Sequence, residues 1–147
     1  MADLETVRTL VAGDAGLAMV SIARGDGSVQ TSLVNAGVTA HPVSGEDAIG
    51  FVVQGSAAKL RLLGRNPQAT VAWRVGWTWV AVEGPVEVCG PDHELAGVES
   101  SALAQLLRRV FRDAGGTHDD WDEYDRVMAE ERRTAVFLTP NRFLGRA

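Results

Sequence analysis

Residues 68–88, QATVAWRVGWTWVAVEGPVEV, contain the pattern that decides the fold. Valine, threonine and tryptophan, which are common in β-strands, fill both halves of this stretch. Val75 and Gly76 lie between the halves and are typical of a turn, so we expect strands over 68–73 and 77–88 that form a hairpin. Strands joined by a short turn run antiparallel, which favours an antiparallel sheet.

The same pattern recurs nearer the N-terminus. Apolar stretches over 17–23 and 29–34 flank GDGS at 25–28, which is hairpin-turn chemistry, so a first hairpin is expected there. Further strands are predicted at 49–53, 134–138 and 143–144.

Helices are predicted between these strands from capping residues and from apolar residues at helical spacing. They begin at Asp3, Ser56, Asp92 and Asp120. Five to seven strands joined mostly by hairpins, with helices inserted, favour an antiparallel barrel with flanking helices over a doubly wound sheet. At 147 residues, with 46% hydrophobic and 22% charged residues, we expect a single domain over 1–147.

The overall charge excludes some classes of partner. The formal net charge is −5, which argues against nucleic-acid binding, since that usually shows a basic excess over a whole face. The first residues, MADLETV, include two acids and no apolar run, and no stretch approaches membrane-spanning length. We therefore expect a cytoplasmic protein with no secretion signal and no membrane partner.

Against this acidic background stands one basic segment. The chain has no acidic residue between Asp47 and Glu83, and the basic residues there are Lys59, Arg61, Arg65 and Arg74. Without nearby carboxylates to compete, these positive charges favour a small anion as ligand.

Ser56 and Lys59 are the first candidates for an anion site. Ser56 is placed to cap the helix after the third strand, which leaves first-turn N–H groups and the positive end of the helix dipole facing an anion. Lys59 lies three residues on and leans toward the same spot, so the pair predicts a phosphate site. Arg61 lies about 200° further around a regular helix and joins only if the helix begins late or its side chain wraps back. The alternative is a capped surface helix whose basic residues are solvated.

Trp77 and Trp79 alternate across Thr78 and so face one side of their strand. They would offer a flat apolar wall to a planar ring, or pack in the core or in a dimer interface. Trp73, on the partner strand, is expected to be structural.

The sequence does not indicate a reactive thiol, a metal site or a catalytic nucleophile. The one cysteine, Cys89, is expected to be a buried apolar residue in a strand. The three histidines have no metal-ligand spacing, the acids over 119–125 are expected to start a solvated helix, and no nucleophile signature is present.

Four stretches resemble a known family. These are QTSLVNAG at 30–37, SAAKLRLLGRNPQATVAW at 56–73, GWTWVAVEGPVEV at 76–88 and GGTHDDWDEYDRVMAEERRTAVFLTPNRFLG at 115–145. Together they are similar to the flavin and deazaflavin oxidoreductases with a split β-barrel, the pyridoxamine 5′-phosphate oxidase-like superfamily. The last stretch resembles actinobacterial members that use the deazaflavin coenzyme F420.

The resemblance implies a fold of the FMN-binding split-barrel type that forms a homodimer. It implies a cofactor in a groove between the subunits, with its phosphate held by Lys59 and its neighbours. It places Trp77 and Trp79 near the cofactor and the substrate mouth, and Asn35 beside the ring system. The Arg-x-His motif of pyridoxamine phosphate oxidases is absent from LTPNRFLGRA, so that activity is not expected.

The function implied by the resemblance is a reductase that uses coenzyme F420 to pass a hydride to a conjugated small organic substrate. One alternative is an oxidase or reductase of the same fold that uses FMN. Another is a protein without catalysis that carries the cofactor or binds haem.

Overall fold

The computed structural model describes residues 2–146, which form seven strands, four α-helices and one short 3-10 helix. The strands are β1 (Leu17–Ala23), β2 (Val29–Ala40), β3 (Asp47–Val53), β4 (Gln68–Val75), β5 (Thr78–Cys89), β6 (Thr134–Leu138) and β7 (Arg142–Arg146). The helices are α1 (Leu4–Gly13), α2 (Ala58–Arg65), α3 (Leu103–Asp113) and α4 (Trp121–Glu130), and the 3-10 helix (Ser100–Ala102) precedes α3.

Six of the strands close into an antiparallel barrel. Their order is β4-β1-β2-β3-β6-β5, and β4 also pairs with β5, which closes the ring. The short β7 adds to β5 after β6 ends. The predicted antiparallel barrel with flanking helices is therefore confirmed.

The barrel is split because its two longest strands each belong to two sheets. β2 pairs with β1 as far as Asn35 and with β3 from Ala36 onward. β5 pairs with β4 through Pro85 and with β6 from Val86. From Val29 to Asn35, β2 has no strand partner on its second edge among residues 2–146. A backbone edge without a strand is therefore available beside the barrel.

The barrel interior holds the larger of two hydrophobic clusters. Its fully buried members include Val20, Phe51, Val71, Trp73 and Val136, and α2 contributes Leu60 and Leu63. The Trp73 indole donates a hydrogen bond of 3.0 Å to the Ala36 carbonyl, so Trp73 is structural, as predicted.

The second cluster lies outside the barrel, where α3 and α4 cover β3 and β6. It includes Leu107, Val110 and Tyr124. The C-terminus of α3 packs directly on β2, since a Cβ at Gly37 would lie 2.2 Å from the Asp113 carbonyl oxygen. Thr39 donates to the Asp113 carboxylate at 2.7 Å, which fixes the same contact.

Some of the predicted helix starts are capped as expected and others are not. Asp3 and Asp120 cap α1 and α4 by accepting from the backbone N–H groups of Thr6 and Glu123, as expected. The predicted cap at Asp92 is wrong: its carboxylate accepts from Arg132 Nε at 2.7 Å, and α3 begins only at Leu103. No helix among residues 2–146 is long and apolar enough to cross a membrane.

Candidate functional site

Lys59 reaches across from α2 to β2. Its ammonium donates a 3.0 Å hydrogen bond to the Ser32 hydroxyl, and both side chains are half-buried. Lys59 is the only lysine of the chain, and no carboxylate pairs with it among the described residues. A half-buried positive charge with only a neutral hydroxyl as its partner leaves room for an anion.

Gln30 lies one step along the same face of β2, since alternate residues of a strand share a face. Its side-chain oxygen is buried without a hydrogen-bond partner. Buried polar groups are normally paired, so an unpaired oxygen two residues from Ser32 on the same face leaves a hydrogen bond for a ligand or a water molecule to supply. A half-turn of the amide exchanges this oxygen for NH₂, a donor that suits an anionic oxygen.

Ser56 does not hold the position that the sequence predicted for it. The residue that caps α2 is Ala57, which has no side-chain cap bond, and Ser56 is exposed outside the helix. The predicted helix cap by Ser56 is therefore wrong. The serine that contacts Lys59 is Ser32, 27 residues earlier in the chain, and neither Ser32 nor Gln30 was predicted.

Arg61 and Arg65 lie on exposed positions of α2. Neither forms an ion pair within residues 2–146. Arg65 lines an open cavity of about 590 Å³ together with Arg24 and Asn66. The carboxylate of Asp26 lines the same cavity, and Arg61 and Arg65 lie on a different side of α2 from Lys59.

The two tryptophans lie at the tip of the β4–β5 hairpin. Trp77 is in the turn itself and is 88% exposed, while Trp79 begins β5 and is 40% exposed. Both line a cavity of about 560 Å³ with Leu17, Met19 and Leu33. The expectation that Trp77 lies within a strand is wrong, yet the turn still holds both indoles beside one cavity.

An apolar row crosses the outer face of the sheet next to this cavity. The strand registers place its members opposite one another on adjacent strands, and they are Leu33, Met19, Ala72, Ala81 and Leu144. Leu33 is 60% exposed and Met19 43% exposed. Leu144 is 46% exposed and Ala81 is buried, so the exposed part of the row consists of large apolar side chains on β1, β2 and β7, which are characteristic of an interaction site.

Asn35 lies where β2 changes its partner from β1 to β3. Its amide donates to the Ala15 carbonyl at 2.8 Å, which fixes the loop between α1 and β1. Asn35 also lines a small cavity of about 180 Å³ below α3 and α4.

The predicted site residues therefore fall into two groups. Ser32, which holds Lys59, and Asn35 lie three residues apart along the unpaired edge of β2, about 10 Å at about 3.4 Å per residue, and this odd offset puts their side chains on opposite faces of the strand. Trp77 and Trp79 line a different cavity, which includes none of Asn35, Ser56, Lys59 and Arg61. One subunit does not bring the two groups into a single pocket.

Two titratable side chains beneath α3 and α4 are held neutral by burial. Burial raises the pKa of Tyr124 to about 12, and its hydroxyl donates to the Leu107 carbonyl at 3.2 Å. Burial also raises the pKa of the Cys89 thiol, which agrees with its predicted role as a buried apolar residue. Within residues 2–146, no group of three or more His, Cys, Asp or Glu side chains could hold a metal ion.

Solved structures of other proteins have the same fold. The chain is similar to conserved hypothetical protein Rv2991 from Mycobacterium tuberculosis, at 17% identity over 99% of this chain and 84% of that chain, with a TM-score of 0.69. It is similar to an F420 reductase at 14% identity, over 93% of this chain and 94% of that chain, with a TM-score of 0.62.

A third similar structure is a pyridoxamine 5′-phosphate oxidase-related, FMN binding protein from Nostoc punctiforme PCC 73102. The identity is 13% over 95% of this chain and 77% of that chain, with a TM-score of 0.62. No protein-family model matches the sequence. The chain therefore has the split β-barrel fold that its sequence resemblance implied, with neighbours of the pyridoxamine 5′-phosphate oxidase-like, flavin-binding and deazaflavin-binding type.

Proposed function

We propose that this protein is an oxidoreductase that uses coenzyme F420 to reduce a conjugated, electron-poor small organic molecule. The observation that carries the proposal is the half-buried Lys59–Ser32 pair beside the unpaired Gln30 oxygen, at one end of an open strand edge. These groups fit the phosphate of a flavin-type cofactor. Lys59 supplies the charge, and the Ser32 hydroxyl and Gln30 amide supply hydrogen bonds.

The open edge of β2 extends from this phosphate site to Asn35. The distance of about 10 Å suits a sugar-alcohol chain between the phosphate and a planar ring. Asn35 faces the opposite side of β2 from Ser32, so a cofactor held at both residues would cross the open strand edge, and the Asn35 side-chain oxygen would be free to accept a hydrogen bond from it. The chain's contribution is binding, orientation and exclusion of water.

When bound, the cofactor supplies the hydride, and no side-chain nucleophile is required. The lack of a nucleophile signature in the sequence is therefore compatible with this function.

The positive surface of α2 favours coenzyme F420 over FMN. FMN ends at its phosphate, whereas coenzyme F420 continues into a chain of carboxylates. Arg61 and Arg65 lie exposed on α2 without a carboxylate partner within residues 2–146, so a flexible chain of carboxylates that wraps around the helix from Lys59 can pair with them. FMN is the second candidate, supported by the likeness to an FMN binding protein.

We also propose that the protein is a homodimer through the apolar row on the outer face of its sheet. Pairing two such faces would bury Leu33 and Met19, which a monomer leaves exposed. It would also let Trp77 and Trp79 of one subunit approach the cofactor of the other, which one subunit alone does not permit. Dimerisation therefore completes the site.

Titration of the purified protein with FMN and with coenzyme F420, followed by tryptophan fluorescence, tests the cofactor. We expect coenzyme F420 to bind at least tenfold more tightly, and tighter binding of FMN would assign the second candidate. Single-turnover mixing of the reduced, cofactor-loaded protein with enone acceptors then tests catalysis. A reduced spectrum that stays unchanged with every acceptor would indicate a carrier protein.

A further inference from the structure

A small cavity lies between α3, α4 and the point where β2 changes partner. Its volume is about 180 Å³. Its walls are mostly apolar, and its polar members are Asn35, Tyr124 and Arg133. Apolar walls with a few converging polar groups are characteristic of sites for small organic molecules.

Arg133 brings a guanidinium to this cavity, with its charge partly offset by an ion pair to Glu131. It lies between the end of α4 and β6, and its side chain is 28% exposed. Its Nε donates to Glu131 Oε1 at 2.9 Å, and within residues 2–146 its two terminal nitrogens have no acceptor. Paired terminal N–H groups of a guanidinium match the two oxygens of a carboxylate.

The opposite wall is aromatic. The rings of Phe111 and Tyr124 lie 5.0 Å apart and tilted by 38°. Val52, Val110 and Met128 complete the apolar lining. Tyr124 stays a neutral phenol at ordinary pH, so Arg133 is the charged group in the lining.

We propose that this cavity binds the ring end of a small aromatic or unsaturated carboxylate, with the carboxylate on Arg133 and the ring against Phe111. A cavity of about 150 Å³ is enough to hold benzene, so the volume of about 180 Å³ holds the ring end of such a ligand. Since Asn35 lines both this cavity and the proposed position of the cofactor ring, the cavity is the acceptor's binding site. The proposal then rests on the proposed function and names its substrate class: a planar carboxylate conjugated to an electron-poor double bond.

The test is calorimetric titration of the cofactor-free protein with benzoate and with benzamide, its neutral counterpart. We expect benzoate to bind and benzamide to bind at least tenfold more weakly. Arg133→Gln should weaken benzoate binding about tenfold or more, the effect of losing a hydrogen bond to a charged group, and Arg133→Lys should lie between. Arg126→Gln, at an exposed position of α4, is the matched control and should bind benzoate like the wild type.

Equal affinities for benzoate and benzamide would overturn the proposal, as would wild-type benzoate affinity in Arg133→Gln with an unchanged melting temperature. Because the titration needs no cofactor, its failure is distinct from failure of the proposed function. Cofactor binding without benzoate binding would refute only the proposed ligand of the cavity. Benzoate binding without cofactor binding would refute only the proposed oxidoreductase function.

Discussion

Replacing Lys59 with alanine removes the one charge that the structure places on the unpaired edge of β2. Lys59 is half-buried, contacts only Ser32 by hydrogen bond, and has no carboxylate partner within residues 2–146. In the presence of the cofactor its ammonium would donate to a phosphate oxygen. Hydrogen bonds to charged groups contribute about 1.5–3 kcal/mol, so the dissociation constant should rise about 10- to 150-fold.

The assay is isothermal titration of wild type and Lys59→Ala with coenzyme F420 at one fixed ionic strength. Ser32→Ala keeps the charge and should weaken binding by only about 0.5–1.5 kcal/mol, the range for a neutral hydrogen bond. Arg126→Ala on α4 removes a distant exposed charge and controls for the overall change in charge. A dissociation constant for Lys59→Ala within about twofold of wild type, in a folded protein, would refute the assignment of Lys59 to the phosphate.

The remaining predictions concern assembly and stability. Met19→Glu places a charge in the apolar row and should convert the dimer to a monomer by light scattering; a monomeric wild type, or a variant that stays dimeric, would contradict the proposed interface. Tyr124 is the only tyrosine, so tyrosinate absorbance should titrate near pH 12 in the folded protein and near pH 10.0 in urea. The free energy of unfolding should fall as the pH rises between these two values. A midpoint near pH 10 in the folded protein would argue against the burial of Tyr124. Gly37→Ala brings a Cβ to 2.2 Å from the Asp113 carbonyl oxygen and should lower the free energy of unfolding by at least about 1–3 kcal/mol in urea titration. Gly27→Leu, in an open turn, measures the cost of a strained backbone alone. An unchanged free energy of unfolding for Gly37→Ala would contradict the contact between α3 and β2.

Most of the barrel could be predicted from local sequence. β1 and β6 match their predicted bounds, because an apolar run between turn residues defines a strand without reference to its partners. β2 runs to Ala40 instead of 34, because its second half gains a new partner in β3. Pairing with β3 therefore makes β2 longer than its local sequence indicates.

The two wrong caps have different causes, neither of which is visible in local sequence. Asp92 has the composition of a helix cap, but Arg132 lies 40 residues away in sequence and takes its carboxylate. Ser56 lies near the start of α2, but the turn after β3 places Ala57 at the capping position. A contact over long sequence distance, or a shift of one residue in a turn, is not visible in spacing.

The candidate site was predictable only in part for the same reason. Lys59 stood out because it is the only lysine, in a segment without acids. Its partner Ser32, the unpaired Gln30 and the cavity residue Arg133 belong to other elements, and only the fold brings them near the predicted residues. They lie within the stretches that resemble a known family, but neither residue type nor spacing marks them as the ones that meet Lys59 or line the cavity.

A crystal structure of the protein with bound coenzyme F420 tests the central claim most directly. We expect a phosphate oxygen within hydrogen-bond distance of Lys59 Nζ and the ring beside Asn35, along the unpaired edge of β2. A cofactor phosphate bound elsewhere, with the Lys59–Ser32 hydrogen bond unchanged and no ligand near it, would contradict the account.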